Sequence, residues 1–332
     1  MTCHNCSSVC KKFGKFGPQR IQRYRCKNCK RTFSEEHEKP QGPLGDMRIS
    51  LDKAETILKL MLEGMSVRSI QRITGAHQKT ILDLLVLAGE KCERIMKAKV
   101  KNVPVKDVEA DEIWGVVKMK RNTRNRKDIT DPFVGDAFTY VGIERNTKLV
   151  LAWHLGDRDA INTEAFTEKL SYATSGRFQL TTDGMNKYPE AIRYSLGTRV
   201  DYAQLIKVYG PADVEGERKY SPPEVVETIT KYIMGHADPR RICTSIVERS
   251  NLSIRMSVRR LTRLTNAFSK KWSNLEAMMS LYFCWYNFCR VHSSIRCTPA
   301  MESGVTSHVW ELRELLTTLV DYGCKTELKG QR

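Results

Sequence analysis

Three acids, each set in a distinct context, hold the chemistry that this sequence can perform. Asp111 lies in Glu109-Ala110-Asp111-Glu112-Ile113-Trp114, Asp183 in Thr181-Thr182-Asp183-Gly184, and Glu248 in Ile246-Val247-Glu248-Arg249-Ser250-Asn251. From Arg249 to Lys271 there are seven Lys and Arg and no acid, so Glu248 stands at the mouth of a positive surface. A carboxylate there makes better sense as a ligand for a metal ion meeting a phosphate backbone than as an ion-pair partner. Carboxylate oxygens are the donors that Mg2+ or Mn2+ requires. Two such ions about 3.5–4 Å apart can assist the attacking and the departing oxygen of a phosphoryl transfer. Taken singly, the acids have plainer explanations. Asp183 could cap a helix, Glu112 could be a solvent-facing strand residue, and Asp157 and Asp159 a polar turn before a helix. Order and context together single out Asp111, Asp183 and Glu248, with Asp157 as the substitute.

The second cluster is sulfur. Cys3-x2-Cys6 and Cys26-x2-Cys29 are separated by nineteen residues, and two such knuckles can place four thiolates on one structural Zn2+. Segments this small fold on the metal because they lack a core. Cys10, His4 and His37 are rival ligands; Cys10 has no partner at knuckle spacing and is left out.

Positioning these groups requires elements, and hydrophobic periodicity suggests them. Residues 1–34 read as a zinc ribbon and 35–49, with Pro40, Gly42, Pro43 and Gly45, as a linker. Residues 50–97 read as three helices, Leu51–Glu63, Val67–Ile73 and a run from His77 toward Met96. Their core would be Ile57, Leu60, Met61, Ile70, Ile73, Ile81, Leu84 and Leu85. Short helices around a tight turn resemble a helix-turn-helix, which would present His77, Gln78, Lys79 and Thr80 to a DNA groove. After a link at 98–107, residues 108–300 read as a mixed α/β domain: a strand Val108–Lys118, a hairpin of Ala137–Glu144 and Lys148–Leu155, a helix Ile161–Thr174, a strand Arg177–Thr182, a helix near Asn186, and a strand Arg199–Val208. Residues 210–240 read as an insertion containing one helix, Glu224–Met234. Then comes a helix continuing through Arg259, Arg260 and Arg263 to Lys271, and a final aromatic one, Trp272–Arg290. In the first of these, Val247, Ile254, Val258 and Leu261 would form a core strip roughly 60° wide at about 100° per residue. Glu248, Asn251, Arg255 and Arg259 would lie beside it, the last three placed to hold DNA phosphates. Residues 301–332 read as a C-terminal tail.

The order of strand, hairpin, helix, strand, helix, strand, helix is that of an RNase H-like domain, in which acids on the first strand, after the fourth and on a late helix converge. Composition narrows the partner. At 332 residues with a formal net charge of +17, the chain is expected to bind a polyanion. No run of about 18 apolar residues and no signal-peptide pattern is present. Eleven cysteines without a signal fit a reducing interior better than a disulfide framework.

Asp-Glu-x-Trp on a strand, Thr-Asp-Gly before a helix, and Glu-Arg-x-Asn-Leu-x-x-Arg followed by Arg-Leu-x-Arg and Phe-Ser-Lys resemble the bacterial insertion-sequence transposases of the insertion-sequence-one type. The cysteine knuckles and the helix-turn-helix are similar to that family's N-terminal part, and the resemblance spans about residues 3–292. It implies an RNase H-like DDE catalytic domain with Asp111, Asp183 and Glu248 as the metal-binding acids. It also implies double-stranded DNA, both element ends and target, as substrate, at least a dimer in synapsis, and a cytoplasmic, nucleoid-associated location. The expected chemistry is cleavage at the element's terminal repeats followed by 3′-OH strand transfer. Two rivals share these features: an RNase H-fold nuclease acting on structured DNA, and a non-catalytic DNA-binding regulator derived from a transposase. Continuous DNA-binding and catalytic parts depart from the frameshifted arrangement of many members. Residues 119–133 and 210–240 are less like the family than the rest of the chain, and the resemblance assigns them no role.

Overall fold

The computed structural model describes residues 1–3, 6–16, 20–34, 42–210, 224–263 and 265–318. These divide into two compact units, Met1–Met47 and Arg48–Arg332.

In the first unit, β1 (Cys10–Phe16), β2 (Ile21–Cys26) and β3 (Thr32–Ser34) form an antiparallel sheet in that order. Its buried residues are Cys3, Cys10 and Cys26, with Tyr24 and Phe33 packed against them. A core made of thiols is too small to hold a fold by apolar burial alone. His4 and His37 lie outside the described residues.

The second unit opens with α1 (Leu51–Leu62), α2 (Val67–Thr74) and α3 (Gln78–Lys99). Ser66 caps α2, its hydroxyl accepting from Ser69 N–H at 3.1 Å, and Gly75 ends it in the left-handed conformation, φ 65°. Of the expected core, Ile57, Met61, Ile70, Ile81, Leu84 and Leu85 are buried, but Ile73 is 58% exposed. It sits in the last turn of α2 on the face away from α1. Leu58 takes a core place instead.

The sheet follows: β4 (Val103–Pro104), β5 (Asp107–Val117), α4 (Arg121–Arg126), β6 (Gly135–Glu144), β7 (Val150–Gly156), α5 (Ala160–Ala173), β8 (Thr174–Ser175), β9 (Phe178–Thr182), α6 (Tyr188–Ser195), β10 (Val200–Tyr209) and β11 (Val225–Met234). Six of these strands stand in the order β11-β10-β9-β5-β6-β7. β5, β9 and β10 run parallel, and β6, β7 and β11 are antiparallel to their neighbours. β4, in the stretch expected to be a link, pairs separately with β8, which follows α5. Where a helix over Glu224–Met234 was expected, the chain forms β11. Val225, Val226, Thr228, Ile229, Thr230 and Ile233 are β-branched and crowd a helix while suiting a pleated strand.

Three helices complete the chain before its last described turn: α7 (Ser245–Ser257), α8 (Trp272–Phe288) and α9 (Pro299–Glu302), with α10 (Leu312–Thr317) after them. α7 stops well short of Lys271. A 3-10 turn, Arg259–Leu261, follows it, and the Arg255 guanidinium donates to Leu261 O at 2.9 Å and Trp114 O at 3.2 Å. Val258 and Leu261 are buried as expected, yet they reach the core from this turn and not from a helix face.

α3 packs closely on α8. A Cβ at Gly89 would fall 2.5 Å from Ala277 Cα, so only glycine permits this crossing. Asn287 on α8 then grips the edge of β7, its Oδ1 accepting from Val150 N–H at 3.0 Å and its Nδ2 donating to Val150 O at 2.8 Å. The three N-terminal helices are thereby built into the same body as the sheet. Residues 301–318, expected as a tail, also fold back: Trp310 lies 4.9 Å from Phe288 ring to ring, and Leu315 and Leu316 are buried. Residues 319–332 lie outside the described residues. No described helix is long and apolar enough to cross a membrane.

Candidate active site

Two parallel strands deliver the first two acids. β5 and β9 pair as far as Ala110 opposite Thr182, and Asp111 and Asp183 are the next residue on each. Carboxylate oxygens of Asp111, Glu112 and Asp183 all lie within 4.8 Å of one another. Side chains alternate along a strand, so Asp111 and Glu112 leave β5 on opposite faces, and Asp183, beyond the end of β9, reaches both. The Glu112 side chain is only 2% exposed. The plainer reading of Glu112 as a solvent-facing strand residue therefore fails, and the buried Tyr188 of α6 lies close to its carboxylate.

Asp111 and Glu112 are strained electrostatically. Burial pushes Asp111 up to about 6, and the charges of Asp183 and Glu248 push the same way. Burial pushes Glu112 up to about 7, with Asp183 adding to it. Arg158 donates to Glu112 Oε2 at 3.1 Å and Asp183 Oδ2 at 3.2 Å. Glu112 Oε1 and the neighbouring Tyr188 hydroxyl are both buried and make no well-formed hydrogen bond. An all-oxygen donor set of this kind suits a hard divalent cation.

Glu248 is not brought into this cluster. It lines the same cavity, of about 1030 Å3, but its carboxylate pairs with Lys207 from β10 and accepts from Thr244 Oγ1 at 2.7 Å. Asn251, one turn further along α7, does reach the acids: its Nδ2 donates to Asp111 Oδ2 at 2.7 Å. Arg255 lines the cavity with its guanidinium held by the two backbone carbonyls described above, and burial lowers it to about 10. Arg259 is exposed on the 3-10 turn. Lys187, Lys207 and Arg263 supply further positive charge around the opening.

The other acids weighed from sequence have structural duties. Asp157 pairs with Arg121, and Asp159 caps α5, accepting from Asn162 N–H at 2.8 Å. Asp183 does not cap α6, which starts at Tyr188; its Oδ1 accepts from Met185 N–H at 3.0 Å in a local turn.

Glu109 was passed over in sequence and proves central to the geometry. It is 1% exposed, and its Oε2 accepts from Ile246 N–H at 2.8 Å and Val247 N–H at 3.0 Å. A strand carboxylate thus caps α7, whose own Thr244 makes no capping bond. The available signal was its spacing: Glu109 is two residues from Asp111 and therefore on the same face of β5.

In the first unit, Cys3, Cys6, Cys26 and Cys29 offer sulfur atoms all within 4.8 Å. Cys3 and Cys29 are 3.5 Å apart, and Cys6 and Cys26 3.4 Å. Four sulfurs around an ion at about 2.3 Å would sit about 3.8 Å apart, so the set fits a thiophilic metal. Hydrogen bonds from Ser8 draw the Cys6 thiol down to about 6, favouring the thiolate. Cys10 lies outside the group, its Sγ directed to Ser8 O at 3.5 Å.

His77, Gln78 and Lys79 are exposed at the start of α3, and Thr80 is half-buried. His77 Nδ1 accepts from Lys79 N–H at 3.2 Å, capping the helix.

No family model and no curated protein matches the chain. Among solved structures, the cryo-EM structure of a piggyBac transposase synaptic complex with hairpin DNA is similar at a TM-score of 0.36 and 10% identity. That similarity covers 84% of this chain and 72% of the other.

Proposed function

We propose that the chain is a DNA transposase that cuts phosphodiester bonds at the ends of an insertion sequence and joins the freed 3′-OH to target DNA. The observation that carries this reading is the gathering of the Asp111, Glu112 and Asp183 carboxylates within 4.8 Å of one another, at the ends of two parallel strands and in a cavity rimmed by Lys and Arg. The strand order agrees with an RNase H-like domain, and the net charge of +17 suits a DNA partner. Asp111, Glu112 and Asp183 would hold one Mg2+ or Mn2+ and Glu248 would serve a second; bound there, the ions would neutralise charge on the attacking and departing oxygens.

The chain's own groups supply the positioning. Asn251 fixes the Asp111 carboxylate, and Glu109 fixes the helix that carries Asn251 and Glu248. Arg158 balances the acids, while Lys187 and Arg263 face the space a phosphate backbone would occupy. The exposed start of α3, His77 to Thr80, is assigned to the element ends, with Arg255 and Arg259 nearer the cleaved strand. The four-cysteine unit is assigned a structural Zn2+.

The test is strand transfer of a pre-cut end from the DNA flanking the coding sequence, in Mg2+. Asp111→Ala, Glu112→Ala, Asp183→Ala and Glu248→Ala are compared. Loss of joining with end binding retained supports the assignment. Retained joining removes that residue from the site. Cleavage of branched DNA without joining would favour the nuclease, and end binding with no chemistry the regulator.

A further inference from the structure

The outermost strand of the large sheet takes no part in the chemistry above. β11 bonds β10 along one side, and among the described residues no strand pairs with its other side. It is ten residues long, and Val225, Val226, Ile229 and Tyr232 are 47, 66, 38 and 57% exposed. Monomeric proteins usually guard such an edge by shortening it, by a proline, or by a bulge. β11 has no proline; register shifts leave Val226 and Ile233 as extra residues near its two ends, and between them Glu227 to Tyr232 is regular and open along the outer side.

The sequence of this edge is chemically symmetric about Ile229. Antiparallel pairing of the regular stretch with a second copy, centred there, sets Glu227 opposite Lys231, Thr228 opposite Thr230, and Ile229 opposite its own copy. Opposite-charge, threonine and aliphatic pairs are among those that favour antiparallel neighbours. Moving the centre to Thr228 sets Glu227 against Ile229, and moving it to Thr230 sets Lys231 against Ile229. Of these three registers only the one centred at Ile229 opposes unlike charges, and a strand from an unrelated protein has no reason to match it.

We propose that β11 is a self-recognition edge: two copies of this chain pair β11 to β11 about a two-fold axis at Ile229, extending the sheet across the dimer. Lys207, the partner of Glu248, sits on β10 beside Thr228, so the seam runs next to one wall of the acid cavity. The pairing requires no DNA and no catalysis, and it stands or falls independently of the transposase reading.

Sedimentation of the full chain without DNA, over a concentration series, tests it. The wild type is expected to dimerise. Glu227→Lys or Lys231→Glu alone places like charges opposite each other twice per dimer and should weaken it about tenfold or more. The double swap Glu227→Lys/Lys231→Glu restores opposite pairs and should restore the dimer. Mixing the two single variants should give mixed dimers, a rescue that misfolding cannot imitate. A monomeric wild type, dimers indifferent to the single swaps, or a double swap as weak as the singles would each overturn the proposal. The first of these would mean that another segment or another protein covers the edge.

Discussion

Asn251 Nδ2 donates to Asp111 Oδ2 at 2.7 Å, joining a residue of α7 to one of β5 across 140 positions of sequence. This bond sets the orientation of the acid at the centre of the site. Partners that orient ligand side chains typically contribute 10–100-fold to metal affinity. Asn251→Ala should therefore weaken Mn2+ binding by roughly tenfold or more, read by calorimetry, while leaving the melting profile of the four-cysteine unit unchanged. Unaltered affinity would show that Asp111 needs no such support.

Glu109 gives a second, separable test. Glu109→Gln keeps an oxygen for the Ile246 and Val247 amides, and it should stay within about 1 kcal/mol of wild type. Glu109→Ala removes the cap and should cost about 1–3 kcal/mol. Urea unfolding of both variants distinguishes a capping role from simple space filling, for which the glutamine would offer no advantage.

Stability should depend on pH in a defined sense. Asp111 and Glu112 rise to about 6 and about 7 when folded, so the folded state favours their neutral forms. Their contribution is full below the ordinary carboxylate range and is lost as pH climbs through 6 and 7. With EDTA present, Tm should fall across that window, and Asp111→Asn/Glu112→Gln should flatten the fall. Mn2+ should reverse it by favouring the ionised pair. A metal-free Tm that rises over this range in the wild type relative to the double variant would contradict the buried-acid account.

At the α3–α8 crossing, Gly89→Ala gains helix propensity of about 1 kcal/mol. It also presses a methyl into Ala277 backbone that has no flexible end to move. Overpacking of this kind costs about 1–3 kcal/mol, so net destabilisation is expected in thermal melts, together with looser protection of both helices in hydrogen exchange.

Chelation should act on one unit alone. Removing metal from Cys3, Cys6, Cys26 and Cys29 should unfold Met1–Met47 and leave Arg48–Arg332 folded, because the buried cluster of the first unit is three cysteines with little apolar surface around them. Metal analysis should give about one thiophilic ion per chain, lost in Cys3→Ser.

The two cysteine knuckles could be read from spacing, because they are a local pattern; the meeting of Asp111 with Asp183 was expected from the RNase H-like order of the elements. Glu112 could not, since its burial depends on Tyr188, 76 positions away. The separation of Glu248 from the cluster depends on Lys207, on a strand whose neighbour β11 was itself taken for a helix. The signal there is the β-branched run from Val225 to Ile233. Ile73 illustrates the opposite error: an apolar residue in a short helix was assigned to the core although α2 buries only Ile70.

The close approach of Gly64 to α7 has a consequence for measurement along DNA. A Cβ at Gly64 would lie 2.7 Å from Met256 O, so the bend between α1 and α2 rests directly on the end of the helix bearing Glu248 and Asn251. With α3 clasped to α8 at the other side, residues 77–80 are held at a constant offset from the acids. If, as proposed, they grip an element's end, the body acts as a ruler. A spacer of half a helical turn inserted between a bound end and its cleavage point would carry the bond around the duplex, to where these carboxylates cannot follow.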